Sequence, residues 1–273
     1  MTDRVDIETP LGSISVYQKG SGEPVLLWPS LLMDHTLWTQ QIEHLAGQYR
    51  TLAFDPPGHG TSSPVTRTFT LDECADCVCA VLDALEIPRT HFVGNSWGAM
   101  VGAVLAARYP ERVASAVLLN GTASPASPLQ RMKFRILVTA AGILGSLRPP
   151  LDRAVLRAFL GPTSLRSRPE AAETVLEVAS RVNVESARYC VRSVVSERPD
   201  NVGLLAGVSS PVLVVAGVED RIFPVSEVRA MAAAIPGAHF VVIDGAAHLL
   251  ALEVPGRVNE LVSDFLAQHR FAP

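Results

Sequence analysis

The stretch His91-Phe92-Val93-Gly94-Asn95-Ser96-Trp97-Gly98-Ala99 decides the fold of this chain. Its first three residues are typical of the end of a buried strand, and the alanine-rich apolar run up to Arg108 predicts a buried helix. A Gly-x-Ser-x-Gly pentapeptide between a strand and a helix is typical of a tight turn that exposes a nucleophilic serine. The helix N-terminus next to Ser96 favours negative charge there. The alternative is an ordinary glycine-bounded turn with a serine N-cap, and the rest of the chain decides between the two.

The composition predicts a globular protein with a large core. Of the 273 residues, 48% are hydrophobic and 18% are charged, which argues against disorder. The net charge of −4 provides no attraction to nucleic acid or to an anionic membrane. No apolar run reaches 18 residues, and the charged N-terminus lacks the apolar stretch of a signal peptide. We therefore expect a cytoplasmic monomer or homodimer that acts on a small molecule and binds neither nucleic acid nor membrane.

The cysteines predict neither a metal site nor a disulfide framework. Three lie within one predicted helix and the fourth stands alone: Cys74, Cys77, Cys79 and Cys190. No second Cys or His pair has the spacing of metal ligands, so buried free thiols are expected. The Gly20–Pro24 segment does not open a helix and is therefore not a dinucleotide fingerprint. We expect no cofactor and no metal.

Short apolar runs alternate with helical patterns along most of the chain, which predicts a mostly parallel sheet with crossover helices. A hairpin around Pro10-Leu11-Gly12 adds an antiparallel start. The predicted strands are centred on Val5–Ile7, Ser13–Tyr17, Val25–Trp28, Thr51–Phe54, His91–Val93, Val113–Leu119, Val212–Ala216 and Phe240–Ile243. The predicted helices outside residues 124–205 are Leu37–Ala46, Leu71–Leu85, Ala99–Arg108, Val225–Ile235 and Val254–His269.

Residues 124–205 interrupt this alternation with helical patterns and no convincing strand. An insertion of this size between two strands of a sheet predicts a helical lid. The expected domains are a core of residues 1–123 and 206–273 and a helical cap of residues 124–205.

A serine hydroxyl needs a base, which in turn needs a third group to hold it. His248 is the histidine that follows the last predicted strand, and the site of an open α/β sheet lies at the carboxyl ends of its strands. Asp220 follows the preceding strand and is favoured over its neighbour Glu219 as the acid. The order Ser96, Asp220, His248 is the one used by serine hydrolases with this kind of turn.

At this point the chain resembles the α/β-hydrolase fold family, in the subset with a helical cap. Besides the serine turn, three segments resemble family motifs: Asp55–Ser62 (D-x-P-G-x-G-x-S), Gly217–Pro224 (G-x-x-D-x-x-x-P) and Gly245–His248 (G-x-x-H). The resemblance implies an eight-stranded, mostly parallel twisted sheet, a cap inserted after the sixth strand, and a catalytic triad of Ser96, Asp220 and His248. It also implies that His59 is structural.

The chain departs from the family where His-Gly usually follows the third strand, because it has Trp28-Pro29-Ser30-Leu31. The family pattern implies an oxyanion hole made by the backbone N–H groups of Ser30 and Trp97, with Leu31 as an alternative to Ser30. The expected substrate-binding side chains are Trp28, Leu31, Phe134, Leu137, Phe223 and Leu249.

The resulting hypothesis is a serine hydrolase that cleaves a carboxylic ester or lactone of a small, largely apolar substrate through an acyl-enzyme on Ser96. The first alternative is a carbon–carbon bond hydrolase of ring-cleavage products. Gly94-Asn95-Ser96 suits those enzymes, but they commonly place Trp after the histidine, where this chain has Leu249. The second alternative is a small-molecule receptor of the same fold with little turnover.

Overall fold

The computed structural model describes residues 3–147, 149 and 151–271. The outer ends of the expected core domain, residues 1–2 and 272–273, lie outside the described residues. So do residues 148 and 150, within the expected cap.

One eight-stranded sheet forms the centre of the molecule, with the strand order β1-β2-β4-β3-β5-β6-β7-β8. Strand β2 runs antiparallel to both β1 and β4, and every other pair is parallel. The strands are β1 (Asp3–Thr9), β2 (Gly12–Lys19), β3 (Glu23–Trp28), β4 (Tyr49–Phe54), β5 (Thr90–Asn95), β6 (Val113–Leu119), β7 (Val212–Gly217) and β8 (His239–Ile243). The predicted eight-stranded, mostly parallel sheet is confirmed, with each predicted strand inside an observed one.

The helices of the core flank this sheet: α1 (Thr39–Leu45), α2 (Leu71–Ala84), α3 (Trp97–Arg108), α9 (Val225–Ala234), α10 (Leu250–Glu253) and α11 (Pro255–Gln268). The predicted helix Leu37–Ala46 begins instead with a 3₁₀ turn at His35–Trp38, because the Asp34 carboxylate accepts the Thr36 N–H and caps that turn. Proline at the first position of α11 separates it from the short α10. None of the described helices is long and apolar enough to cross a bilayer.

The core centres on β5, β6 and β7, whose residues are all buried. Helix α3 is buried on all sides over its first ten residues, which explains an apolar sequence without a polar face. All four cysteines are free, and burial raises the pKa of the Cys190 thiol to about 12.

Between β6 and β7 the chain forms α4 (Pro128–Leu144), α5 (Asp152–Phe159), α6 (Pro162–Ser167), α7 (Pro169–Arg181), α8 (Val184–Val191) and a π-helical turn at Arg192–Ser196. We call this stretch, residues 124–205, the helical insertion. Its described residues contain no strand, as the sequence predicts. Helix α4 buries only Ala141 among its 17 residues, so most of this helix is open to solvent.

Candidate active site

Ser96 occupies a strained turn between β5 and α3. Its φ of 56° and ψ of −107° lie in a region that L-residues rarely adopt. The turn holds because the Ser96 N–H donates to the carbonyl of Leu119 at 2.8 Å. A Cβ on Gly94 would collide with the backbone of Gly98, and a Cβ on Gly98 would collide with the carbonyl of Trp28. The glycines on both sides of the serine are therefore required by the close approach of backbone to backbone.

Asp220 and His248 form a buried pair, with His248 Nδ1 2.8 Å from Asp220 Oδ2. A carboxylate only accepts hydrogen bonds, so the Nδ1 atom carries the proton and Nε2 keeps its lone pair. The other carboxylate oxygen, Oδ1, accepts the N–H groups of Ile222 at 2.7 Å and Phe223 at 3.1 Å. These bonds orient the carboxylate, and the carboxylate orients the imidazole.

Glu219, the neighbour of Asp220, makes different contacts. Its carboxylate accepts the N–H of Thr163 at 3.0 Å and also bonds the Thr163 hydroxyl. Desolvation disfavours its charge, but the bonds from Thr163 outweigh that effect and lower the pKa of Glu219. Glu219 thus ties α6 of the helical insertion to the core.

The backbone around His248 is held by a buried carboxylate that the sequence analysis did not identify. Glu253 Oε1 accepts the N–H groups of Ala247 and Leu249, each at 3.0 Å, on either side of the histidine. Its Oε2 accepts from the Gly161 N–H at 2.9 Å and the Ser164 hydroxyl at 2.7 Å. Burial raises the pKa of Glu253. Two of its partners, Gly161 and Ser164, are about 90 residues away and are brought to it only by the fold.

Two buried asparagines hold the same loop from the sheet side. The Asn95 amide donates to the His248 carbonyl at 2.9 Å. The Asn120 amide donates to the carbonyls of Ala247 and His248, at 2.6 and 3.0 Å, and its oxygen accepts the Gly217 N–H at 2.8 Å. Both residues lie at the end of a central strand, and this position is the only feature of the sequence that could have indicated a role at the site.

The loop after β3, expected to contribute to the oxyanion hole, is anchored by His59. The Leu32 N–H donates to His59 Nε2 at 3.0 Å, so His59 Nδ1 carries the proton and donates to the Pro57 carbonyl at 3.0 Å. Leu32 has a φ of 64°, a left-handed conformation that a leucine adopts only when its surroundings impose it. Burial lowers the pKa of His59, which favours the neutral ring that this arrangement needs. The structural role expected for His59 agrees with these contacts.

A cavity joins the serine to the histidine, with a volume of only ≈ 20 Å³. This is room for about one water molecule. Its lining comes from the core (Ser30, Leu31, Ser96, Met100, Ile222, Phe223 and His248) and from the helical insertion (Gln130, Phe134, Phe159, Val194, Val195 and Arg198). The His248 ring lies between Phe159, stacked at 5.8 Å between centroids, and Phe223 at 5.5 Å.

Several residues expected at the site lie elsewhere. Trp28 is fully buried beneath the serine turn, with its ring 5.5 Å from the ring of Trp97. Leu137, three residues after Phe134 on α4, lines a separate small cavity next to Val184 and Ala187. Leu249 is fully buried. These three side chains do not reach the described cavity. Ser30, Leu31, Phe134 and Phe223 do, whereas Trp97 lines no part of it and offers only its N–H at the start of α3.

The six other histidines make contacts outside this cavity: His35 with Asp55, His44 with Ser263, His59 with Leu32 and Pro57, His91 with Ser115, His239 with Phe265, and His269 with the Phe265 carbonyl. Asp34, His35 and Asp55 bring potential metal-ligand atoms within 4.8 Å of one another. Asp55 Oδ1 is 2.7 Å from His35 Nδ1 and its Oδ2 accepts the Thr61 N–H, so these bonds already explain the cluster.

The known proteins that this chain resembles include hydrolases of one fold family. The sequence model of the alpha/beta hydrolase fold matches residues 23–255. The chain is 28% identical over 243 residues to 3-oxoadipate enol-lactonase 2 of Acinetobacter baylyi, covering 88% of this chain and 87% of that protein.

Two further similarities bear on the reaction. The chain is 29% identical over 225 residues to a 2-hydroxy-6-oxononadienedioate/2-hydroxy-6-oxononatrienedioate hydrolase of Paraburkholderia phymatum, covering 81% of this chain and 77% of that protein. The structure of the present chain is similar to that of a thermophilic esterase from Thermogutta terrifontis solved with malate bound. That similarity has a TM-score of 0.88 at 29% identity and covers 98% of this chain and all of that one.

Proposed function

Because the chain belongs to the alpha/beta hydrolase fold family, we propose that it is a serine hydrolase that cleaves a carboxylic ester or a lactone through an acyl-enzyme on Ser96. The observation that carries the proposal is the buried His248–Asp220 pair at 2.8 Å, on the same cavity as a serine in a strained turn. The similarity to an enol-lactonase and an esterase supports the ester or lactone class.

In the proposed reaction the Ser96 hydroxyl attacks the ester carbonyl while His248 Nε2 accepts its proton. The imidazolium is stabilised by Asp220, and it then protonates the leaving alcohol. A water molecule then attacks the carbonyl of the acyl-enzyme, with His248 as the base, and releases the acid and the free Ser96. These reaction steps need the Nδ1–H tautomer of His248, and the contact with Asp220 selects this tautomer.

The oxyanion of the tetrahedral intermediate would be bound by backbone N–H groups. Trp97 is the first residue of α3, so its N–H has no acceptor within the helix. Ser30 and Leu31 border the cavity, and the bond from Leu32 to His59 fixes their loop. A missing donor of this kind typically costs about 10²–10³ in turnover.

The helical insertion acts as a cap in this proposal. It supplies Phe134, Phe159 and the valines of the π-helical turn to the cavity. Since the cavity holds only ≈ 20 Å³, an ester of several carbons enters only if these groups move away from the core. Helix α4 carries Phe134 and buries only Ala141, so we expect it to take part in this movement.

The proposal is tested with a fluorophosphonate, which forms a stable adduct with an activated serine. We expect intact-mass spectrometry to show one adduct on the protein and peptide mapping to place it on Ser96. The Ser96→Ala variant should fold, take up no label, and hydrolyse p-nitrophenyl esters and lactones about 10⁶-fold more slowly. Ser263→Ala, on α11, serves as the matched serine control and should label like the unmodified protein.

A protein whose mass does not change, or a Ser96→Ala variant with undiminished turnover, would end the proposal. Slow single turnover combined with tight ligand binding would instead favour the receptor interpretation.

Carbon–carbon bond hydrolysis of ring-cleavage products is the second candidate function. It is favoured by the 29% identity to the Paraburkholderia phymatum hydrolase and by the Gly94-Asn95-Ser96 sequence. A vinylogous dienoate assayed beside the simple esters separates the two reactions, because only the second candidate predicts a higher kcat/KM for the dienoate.

A further inference from the structure

Arg198 is a buried arginine in the wall of the candidate active site. It follows the π-helical turn of the helical insertion, and its side chain lines the same cavity as Ser96 and His248. Only 4% of the residue is exposed, although arginine is among the residues that proteins bury least often. The other lining groups contributed by the insertion are mostly apolar, so this guanidinium is an exception that needs a physical reason.

The protein satisfies only part of the Arg198 guanidinium. Its Nε donates to the Ser124 carbonyl at 2.8 Å, and its Nη1 donates to the Val194 carbonyl at 3.3 Å. Its Nη2 is buried and has no hydrogen-bond partner among the residues that the structure describes. The guanidinium also lies 5.5 Å from the centre of the Phe223 ring, a residue of the same cavity.

No described residue forms an ion pair with Arg198. Burial lowers its pKa to about 10, Glu227 offsets this only in part, and Arg131 adds to it. A buried charge without a counter-ion is unfavourable, and proteins normally pair such a group or leave it in water. The uncompensated charge therefore indicates that an anion completes this site during function.

We infer that Arg198 binds a carboxylate of the substrate, so that the enzyme acts on esters or lactones that carry a free carboxyl group. This inference rests on the proposed serine-hydrolase function and narrows its substrate class. A planar guanidinium with a free Nη2 offers the charge-assisted hydrogen bonds that carboxylates accept most strongly. The apolar side chains of Phe134, Phe159 and Val195 would then cover the carbon chain between the ester and the carboxylate.

A purely structural role explains less. The bonds to Ser124 and Val194 join two parts of the helical insertion, and Arg198 does stabilise that connection. Those bonds use Nε and Nη1 and leave Nη2 without a function. Two other arginines of the helical insertion are less suited to bind a carboxylate at this site, because Arg131 and Arg135 are exposed and line a groove on another face of α4.

The experiment compares substrates that differ only in charge. The monomethyl esters of succinate, glutarate and adipate are each paired with the corresponding methyl ester in which a carboxamide replaces the free carboxylate. We expect kcat/KM to favour the carboxylate by roughly 10- to 100-fold at the best chain length. Arg198→Met should bring the ratio close to one, and Arg198→Lys should restore part of it. Arg135→Met is the matched control and should keep the ratio of the unmodified protein.

The carboxylate-to-carboxamide ratio of kcat/KM distinguishes substrate recognition from a structural role. If Arg198 were purely structural, Arg198→Met would lower kcat/KM for both substrates together and leave their ratio unchanged. If Arg198→Met does not fold, Arg198→Lys and the unmodified protein provide the same comparison. Equal kcat/KM for carboxylate and carboxamide in the unmodified protein would overturn the inference while leaving the hydrolase proposal intact.

Binding is measured independently of turnover on the Ser96→Ala variant, by calorimetric titration with glutarate. We expect saturable binding that disappears in the Ser96→Ala/Arg198→Met double variant. Glutarate binding through Arg198 in a protein without esterase activity would refute the proposed function and leave the carboxylate site standing. Absence of binding, together with a ratio of one, would refute the carboxylate site.

Discussion

The loops at the carboxyl ends of the strands and the helical insertion line the same cavity but are built differently. On the core side, His248 has its ring bonded to Asp220, its carbonyl bonded to Asn95 and Asn120, and both neighbouring N–H groups bonded to Glu253. On the insertion side, α4 buries one residue of 17 and exposes five large apolar side chains: Leu129, Met132, Ile136, Ile143 and Leu144.

The two sides differ in how precisely their groups must be positioned. Proton transfer and oxyanion binding depend on small differences in position, so the groups proposed for them are held by several buried bonds each. Substrate entry needs an element that moves at low cost, and a helix that buries one residue of 17 meets that need. We therefore expect changes on the core side to affect the rate of the chemical step, and changes in the insertion to affect substrate preference.

After the loss of Ser96 itself, the largest effect is expected for Asp220→Asn. An amide at this position favours the wrong tautomer of His248, so we expect kcat to fall by about 10⁴-fold with little change in KM. Glu219→Gln is the matched control, since it alters the adjacent carboxylate that bonds Thr163. Its kcat should stay within a few-fold of the unmodified value in the same p-nitrophenyl ester assay. Comparable losses in both variants would contradict the assignment of Asp220.

A smaller effect, on specificity, is expected for Phe134→Ala. The change removes an apolar wall of the cavity, so kcat/KM for long acyl chains should fall roughly 10- to 100-fold relative to acetate. The measurement is a series of p-nitrophenyl esters of rising chain length. Ile143→Ala, at a side chain that is 81% exposed on the same helix, is the control. It should keep the chain-length profile and change the free energy of unfolding by less than about 0.5 kcal/mol. An equal loss of kcat/KM on every ester would indicate that Phe134 affects the chemical step, and would contradict the assignment of the helical insertion to substrate preference.

The smallest effect is expected for His59→Gln, which tests the anchor of the loop after β3. Burial lowers the pKa of His59 in the folded state. As the pH falls below about 6.5, His59 becomes protonated in the unfolded chain but stays neutral in the folded chain, and the folded state loses stability. This contribution is present above that pH and amounts to at most about 1.4 kcal/mol between pH 7.5 and 5.5.

A glutamine side chain at this position keeps an acceptor for the Leu32 N–H but does not titrate. Urea unfolding at pH 7.5 and 5.5 should therefore show a smaller loss of stability in His59→Gln than in the unmodified protein. His44→Gln, at an exposed position, controls for removing an imidazole. An identical loss in the unmodified protein and in His59→Gln would show that the buried ring takes up a proton without disturbing the loop.

The sequence predicted the sheet and most helices because their signals are local. Apolar runs of strand length mark the buried parallel strands, and Gly94 and Gly98 mark the turn at Ser96. The helices were predicted less completely, since the start of the first helix depends on the Asp34 cap and the short α10 before Pro255 was not predicted. Of the side chains expected to bind substrate, Leu31, Phe134 and Phe223 line the cavity, whereas Trp28, Leu137 and Leu249 do not.

The sequence alone predicts the order of strands and helices along the chain and the positions of Ser96, Asp220 and His248 just after β5, β7 and β8. Backbone turns and hydrophobic periodicity are properties of neighbouring residues, so they can be read without coordinates. Only the tertiary structure decided that Glu253 holds the His248 loop and that Arg198 lies in the cavity without a counter-ion. Both side chains are buried, and each has partners far away in the sequence: Gly161 and Ser164 for Glu253, and Ser124 for Arg198. Burial is a property of the whole packed chain rather than of any segment.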